Sequence, residues 1–244
     1  MDEVRGSAAV LLGILGVVGL VFLGVVLVGQ EGREERTTSR SDGLTPAGVP
    51  RGTPVSTAGP LPDGADTSIW ARDAAARTSI PARTLEAYAA AELAQRARTP
   101  DCRLSWTTLA GIGRVESNHA RINGSRLDGQ GVSSPPIVGI PLDGSNNTRE
   151  IADTDGGRLD GDTTYDRAVG PLQFLPTTWA RYGGGGDPQR IDDAARAAAA
   201  YLCAEGRDTA SGDGWWDGVL AYNRSVEYAR LVWAAVDRYA GAAA

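Results

Sequence analysis

Ser105 to His119, SWTTLAGIGRVESNH, is the stretch on which the reading of this chain turns. Wound at 3.6 residues per turn, it stacks Leu109, Ile112 and Gly113 on one face and sets Glu116 within the same stripe. Ser105 has the side chain of an N-cap, and Asn118-His119 place the end of the helix just past Glu116. A carboxylate so placed points inward, near a helix C-terminus. Both circumstances disfavour its charged form, and a carboxyl group kept protonated is a general acid. A shorter or rotated helix would leave Glu116 solvated instead, so the surrounding sequence has to decide.

Upstream, Ile80-Pro81 opens a second helical pattern, with Leu85, Tyr88, Ala89 and Leu93 at helical spacing until Thr99-Pro100 stops it. Downstream, Ala120 to Arg167 is a long polar segment containing Pro135-Pro136 and many glycines, the kind of loop that is functional or disordered. Helical character returns at Pro176–Tyr182, then at Asp192–Ala204, with Asp192 as its cap and Gly206 beyond its end. Trp215–Tyr222 and Val226–Tyr239, the latter capped by Ser225, complete the set. Nothing alternates convincingly at period two, so the expected fold is mainly α, with at most a small hairpin inside the 120–167 loop.

Ala8–Val28 runs 21 residues without a charge. At about 1.5 Å per residue it spans roughly the 30 Å hydrocarbon core of a bilayer. Its length exceeds a signal-peptide core, and Val26-Leu-Val-Gly-Gln30 has no small-x-small cleavage site, so residues 1–29 read as a tail and an uncleaved transmembrane anchor. Gln30 to Ser79 is rich in Gly, Pro, Ser, Thr, Asp and Arg and reads as a disordered linker, with the short Ala-rich run Ile69–Ala76 as the part most suited to fold back. Only Arg5 precedes the span while Arg33 and Arg36 follow it, so charge counting favours a cytoplasmic C-terminal domain. The cysteines argue the other way. Cys102 and Cys203 would be inert thiols in the cytosol, and an extracytoplasmic domain would pair them; the pairing is the reading adopted.

The formal charge is −6, and every basic residue other than the lone histidine is an Arg. No basic stripe is left for a nucleic-acid backbone, which excludes nucleic acid as a partner. Two cysteines and one His make a zinc site untenable. Asp153-x-Asp155-x-Gly157 lacks the third oxygen ligand and closing Glu of an EF-hand, so no metal and no cofactor is expected.

Three short stretches set polar groups among residues that otherwise pack: Arg114-Val-Glu-Ser-Asn-His119, Ala168-Val-Gly-Pro-Leu-Gln-Phe-Leu-Pro-Thr-Thr-Trp179 and Ala221-Tyr-Asn-Arg224. In this order they resemble the signature segments of lytic murein transglycosylases, specifically the B-type family in the secreted form of high-GC Gram-positive bacteria. The resemblance covers roughly Ile80 to Tyr239, including Ile151-Ala-Asp-Thr-Asp-Gly-Gly157. It implies a lysozyme-like domain over 80–244 and, as substrate, the glycan strands of peptidoglycan, cut between N-acetylmuramic acid and N-acetylglucosamine to leave a 1,6-anhydro end.

By the same resemblance Glu116 is the catalytic acid and then base, Gln173 hydrogen-bonds the sugar and Asn223 helps orient the N-acetyl group, while Tyr222 is a cleft wall or a core aromatic and Ser117 either hydrogen-bonds substrate beside Glu116 or merely terminates the helix. Trp179, Trp215 and Trp216 suit either sugar stacking or the core. Ala120 stands where the family often has Gly, and Gly183-Gly-Gly-Gly-Asp-Pro-Gln189 stands where many relatives carry a calcium loop. An ordinary glycosidase needs a second carboxylate facing the first, and only the aspartates of the loop, Asp153, Asp155, Asp160, Asp162 and Asp166, are numerous enough to supply one. The implied setting is the outer face of the cell membrane, with cell-wall synthesis or division proteins as partners. A muramidase of the same fold and a non-catalytic peptidoglycan-binding module are the alternatives.

Overall fold

The computed structural model describes residues 44–146 and 148–243. The span read as a membrane anchor, Ala8–Val28, lies outside the described residues; among those described, no helix is long and apolar enough to cross a membrane. The described chain is mainly helical: α1 Thr67–Thr78, α2 Ala82–Arg98, α3 Trp106–Ser117, α4 Pro176–Tyr182, α5 Ile191–Leu202, α6 Gly212–Tyr222 and α7 Val226–Ala243.

Ser105 caps α3 by accepting from the Thr107 backbone N–H at 3.3 Å, and Asn118 ends the helix in the left-handed conformation. Every residue of α3 except Arg114 is buried, so the single apolar stripe read from the sequence is only part of its packing surface. α7 covers one side and α2 another. Two glycines make this closeness feasible. A Cβ on Gly111 would lie 2.5 Å from Val236 Cγ2, and one on Gly113 would lie 1.9 Å from the Tyr88 hydroxyl. Burying Leu109 and Ile112 completely contributes about 1.5–3 kcal/mol each.

α5 packs mainly on α2 and also on α4 and α6, and its Ala194, Ala195, Ala197, Ala198 and Ala199 are all buried. It begins at Ile191, with Asp192 inside the first turn rather than at the cap, because that carboxylate is paired with Arg83 across the interface with α2. The helix ends at Leu202. Just beyond it Cys203 is disulfide-bonded to Cys102, with a Cα–Cα distance of 5.5 Å, as the pairing argument requires.

The expectation of a disordered linker over 30–79 is corrected from Leu44 onward. Residues 44–66 form a strap across the helices, and α1 docks Ala71 and Ala74 into the core behind an Asp66 N-cap. The Thr53 carbonyl accepts from the indole N–H of Trp216 at 3.0 Å and of Trp233 at 3.3 Å. The Val49 carbonyl accepts from Arg230 Nε, and the Leu61 backbone N–H donates to buried Glu92 at 3.0 Å. A Pro- and Gly-rich segment has no apolar period to betray it; here its backbone groups are satisfied by side chains that lie far away in sequence.

The 120–167 segment carries more structure than one small hairpin. β1 Arg126–Leu127 pairs antiparallel with β2 Ser133–Ser134, and β3 Val138–Pro141 pairs antiparallel with β4 Arg167–Val169, in the register Val138 to Val169 and Pro141 to Arg167. The second pair fastens the loop to the start of the Ala168–Trp179 segment. Between them the aspartates fold their own loop. Asp153 accepts from the backbone N–H groups of Asp155, Gly156 and Gly157, and Asp155 from those of Arg158 and Leu159. Asp160 accepts from Asp162 and Arg167, and Asp162 from Thr164 and Tyr165, in the Asx-turn pattern. Asp166, fully buried, accepts from the Thr154 N–H and hydroxyl.

Candidate active site

Three hydrogen bonds draw the three polar segments together. The Ser117 hydroxyl donates to the Pro171 carbonyl at 2.6 Å, the Tyr222 hydroxyl to the Leu172 carbonyl at 2.6 Å, and the Tyr228 hydroxyl to Glu116 Oε1 at 2.7 Å. The end of α3, the Gly170–Gln173 turn and the junction of α6 with α7 therefore meet at one place. Gly170 allows the turn: its φ is +77°, and a Cβ there would fall 1.9 Å from the Pro188 carbonyl oxygen.

Glu116 is 6% exposed in the last turn of α3. Ser117 is fully buried, and its hydroxyl both donates to Pro171 and accepts from the Ala120 N–H at 2.8 Å. In this structure its side chain fastens α3 to the Gly170 turn. Gln173 sits half-buried at φ +48°, and its Nε2 donates to the Gly170 carbonyl at 3.0 Å. Its amide thus folds back on its own turn in this state of the molecule. Tyr222 is buried against Phe174 and Tyr201.

Asn223 follows the last residue of α6. It is 3% exposed, and its Oδ1 accepts from the Ser225 N–H at 3.1 Å. Its Nδ2 has no hydrogen-bond partner among the described residues. A buried amide donor left unmade costs about 1–3 kcal/mol, which makes it conspicuous. Asn223 lines a cleft of about 190 Å³, together with Tyr222, Tyr201, Thr178, Arg149 and Arg224. Glu116, Ser117 and Gln173 are not part of that wall. α7 links the two places: Ser225, two residues after Asn223, accepts from the Tyr228 N–H through its Oγ, and the Tyr228 hydroxyl donates to the Glu116 carboxylate.

His119 is fully buried, with Nε2 2.8 Å from the Tyr239 hydroxyl and Nδ1 3.4 Å from that of Tyr88. Burial, aided by Arg121 and Arg114, pushes its pKa well below the usual imidazole range. It is a neutral core residue. Trp179, Trp215 and Trp216 are also core, which settles their two readings. Among the described residues no three His, Cys, Asp or Glu side chains gather in a way that would hold a metal ion.

Tyr228, Arg149, Thr178 and Tyr201 are site residues that sequence reasoning missed. Tyr228 stands one turn beyond the Ser225 cap, where only the cap was legible; Arg149 and Thr178 carry no local signal. Comparison of the chain with family models, with characterised proteins and with solved structures found no match.

Proposed function

We propose that this chain is a lytic transglycosylase of peptidoglycan, with a lysozyme-like domain held outside the membrane by the N-terminal apolar span. The observation that carries the reading is the meeting of three separated segments around one buried carboxylate, beside a cleft that contains an unpartnered amide donor. The disulfide supports an oxidising compartment.

In this reaction Glu116 gives its proton to the glycosidic oxygen as the bond from C1 of N-acetylmuramic acid breaks. The substrate's N-acetyl oxygen supports the positive anomeric carbon, and Asn223 Nδ2 orients that group by donating to it. The C6 hydroxyl oxygen then bonds to C1 while Glu116 takes back its proton, so the enzyme is restored without water. The Tyr228 hydroxyl holds the carboxylate in place through both steps. A one-carboxylate route is favoured because the loop aspartates are committed to backbone N–H groups.

The test is mass spectrometry of the soluble products when the full-length protein, wild type or Glu116→Gln, is incubated with peptidoglycan sacculi. Anhydromuropeptides from the wild type, reduced about 10²–10⁴-fold in the variant, are expected. Reducing ends would make it a muramidase instead, and unchanged release by the variant would remove Glu116 from the chemistry.

A further inference from the structure

Directly after Glu116 and Ser117 the backbone turns left-handed at three successive residues, none of them glycine: Asn118 at φ +51°, His119 at +60° and Ala120 at +63°. L-residues enter this region singly and at a cost, so a run of three persists only where the surroundings over-determine it. Here they do. Asn118 Oδ1 accepts from Arg114 Nη1, the His119 backbone N–H donates to the Gly113 carbonyl at 2.8 Å, and the Ala120 N–H donates to the Ser117 hydroxyl at 2.8 Å. At the centre His119 is buried, and each ring nitrogen meets a tyrosine hydroxyl from a different helix: Tyr239 of α7 at 2.8 Å and Tyr88 of α2 at 3.4 Å.

The turn also reaches the other side of the site. The Ser117 hydroxyl that accepts from Ala120 donates to the Pro171 carbonyl at 2.6 Å, and Pro171 stands two residues before Gln173, itself left-handed at φ +48°. We propose that His119 is a positioning residue for Glu116: held between two helices, it fixes the left-handed turn, and through the Ser117 hydroxyl the turn keeps the Gly170–Gln173 segment in register with the carboxylate. The inference rests on the lytic reading for its reaction. Tyr228 fixes one carboxylate oxygen from α7, whereas His119 fixes the backbone that carries the carboxylate, a role that needs no contact with substrate. Burial keeps the imidazole neutral, so one ring nitrogen donates and the other accepts. A misplacement of about 1 Å at such a site lowers turnover as much as a hundredfold, so the lock has something to protect.

The experiment is a double-mutant cycle in the full-length protein, with kcat and KM for release of anhydro ends from soluble peptidoglycan glycan strands. His119→Phe, which keeps a ring and loses both hydrogen bonds, should lower kcat roughly tenfold with KM nearly unchanged, and Ser117→Ala should do the same. If His119 acts through Ser117, the double variant falls no further than the worse single one; two independent packing defects would multiply to roughly a hundredfold. Tyr239→Phe, which removes only the hydroxyl facing Nε2, serves in the same cycle should His119→Phe fail to fold. The chain has one histidine, so protein labelled with ¹⁵N-histidine and carrying no histidine tag gives one imidazole spectrum. Its two ring nitrogens should resonate far apart, as in a single neutral tautomer, from about pH 5 to pH 8. Multiplying losses, a kcat untouched by both His119→Phe and Tyr239→Phe, or ring signals that merge or titrate over that range would each overturn the inference. Those outcomes in an active wild type sink this inference alone, whereas a wild type that releases no anhydro ends sinks the lytic reading and this inference with it.

Discussion

The Tyr228 hydroxyl, on the first turn of α7, donates to Glu116 Oε1, on the last turn of α3, across 2.7 Å. The two residues are 112 apart in sequence, and both side chains are buried. A hydrogen bond to a charged group contributes about 1.5–3 kcal/mol, while Phe fills nearly the same volume. Tyr228→Phe should therefore lower turnover on peptidoglycan roughly tenfold to a hundredfold with little change in secondary structure. Steady-state rates of anhydromuropeptide release, read beside circular dichroism, check this; unchanged turnover would mean Tyr228 is only packing.

The strap gives a second expectation. A chain beginning at Ile80 loses the Thr53 carbonyl that two indoles share, the Leu61 N–H that Glu92 accepts, and α1. Each lost bond costs about 0.5–1.5 kcal/mol, and Trp216, now fully buried, gains contact with water. The truncated protein should melt at a lower temperature than the intact one and emit at longer wavelength. Identical melting would show that the strap adds nothing to the helices beneath it.

Much of the helical frame was legible because its signals are local. Pro100 stops α2, Ser105 caps α3, Pro176 opens α4 and Ser225 caps α7, each within a residue or two of where the sequence puts it. The strap was not legible, since its partners are Trp216, Arg230, Trp233 and Glu92, more than 30 residues away. The site divides the same way. Glu116 and Asn223 stand in recognisable local patterns, whereas Tyr228 and Arg149 join the site only through tertiary packing that a single sequence does not encode at short range.

Gly113 sets up a test of packing against propensity. In an isolated helix Gly→Ala stabilises by about 1 kcal/mol. Here the new methyl would sit 1.9 Å from the Tyr88 hydroxyl and 3.3 Å from Leu172 Cδ2, both in the core. Overpacking of that kind costs about 1–3 kcal/mol, so Gly113→Ala should destabilise the protein despite its propensity. Denaturant unfolding should show the midpoint falling; a rise would mean α2 and α3 part easily.

Reduction supplies a fourth. The Cys102–Cys203 bond closes a separation of 101 residues, for which chain entropy gives at most about 4.7 kcal/mol. Cys102→Ser/Cys203→Ser should lose about 2–4 kcal/mol, and reductant should lower the melting temperature of the wild type but leave that of the double variant where it is. Equal melting of both proteins under oxidising conditions would contradict the bond's stabilising role.

The acid side of the stability curve should belong to His119. Burial depresses its pKa in the folded protein, while in the unfolded chain it titrates near 6.5. Between those values the unfolded chain binds the extra proton, so stability is fully present above about pH 6.5 and falls by about 1.4 kcal/mol for each unit below it. Glu92 acts in the opposite sense. Desolvation raises its pKa against the lowering effect of the Leu61 and Trp106 N–H groups and of Arg96. Its contribution is therefore present below its unfolded value of 4.5 and is lost as pH rises through its folded one. Stability measured by urea unfolding from pH 4 to pH 8 should consequently rise less steeply in His119→Gln than in the wild type, and more steeply in Glu92→Gln. If both variants keep the wild-type slope between pH 4.5 and 6.5, neither buried group is what links this fold to pH.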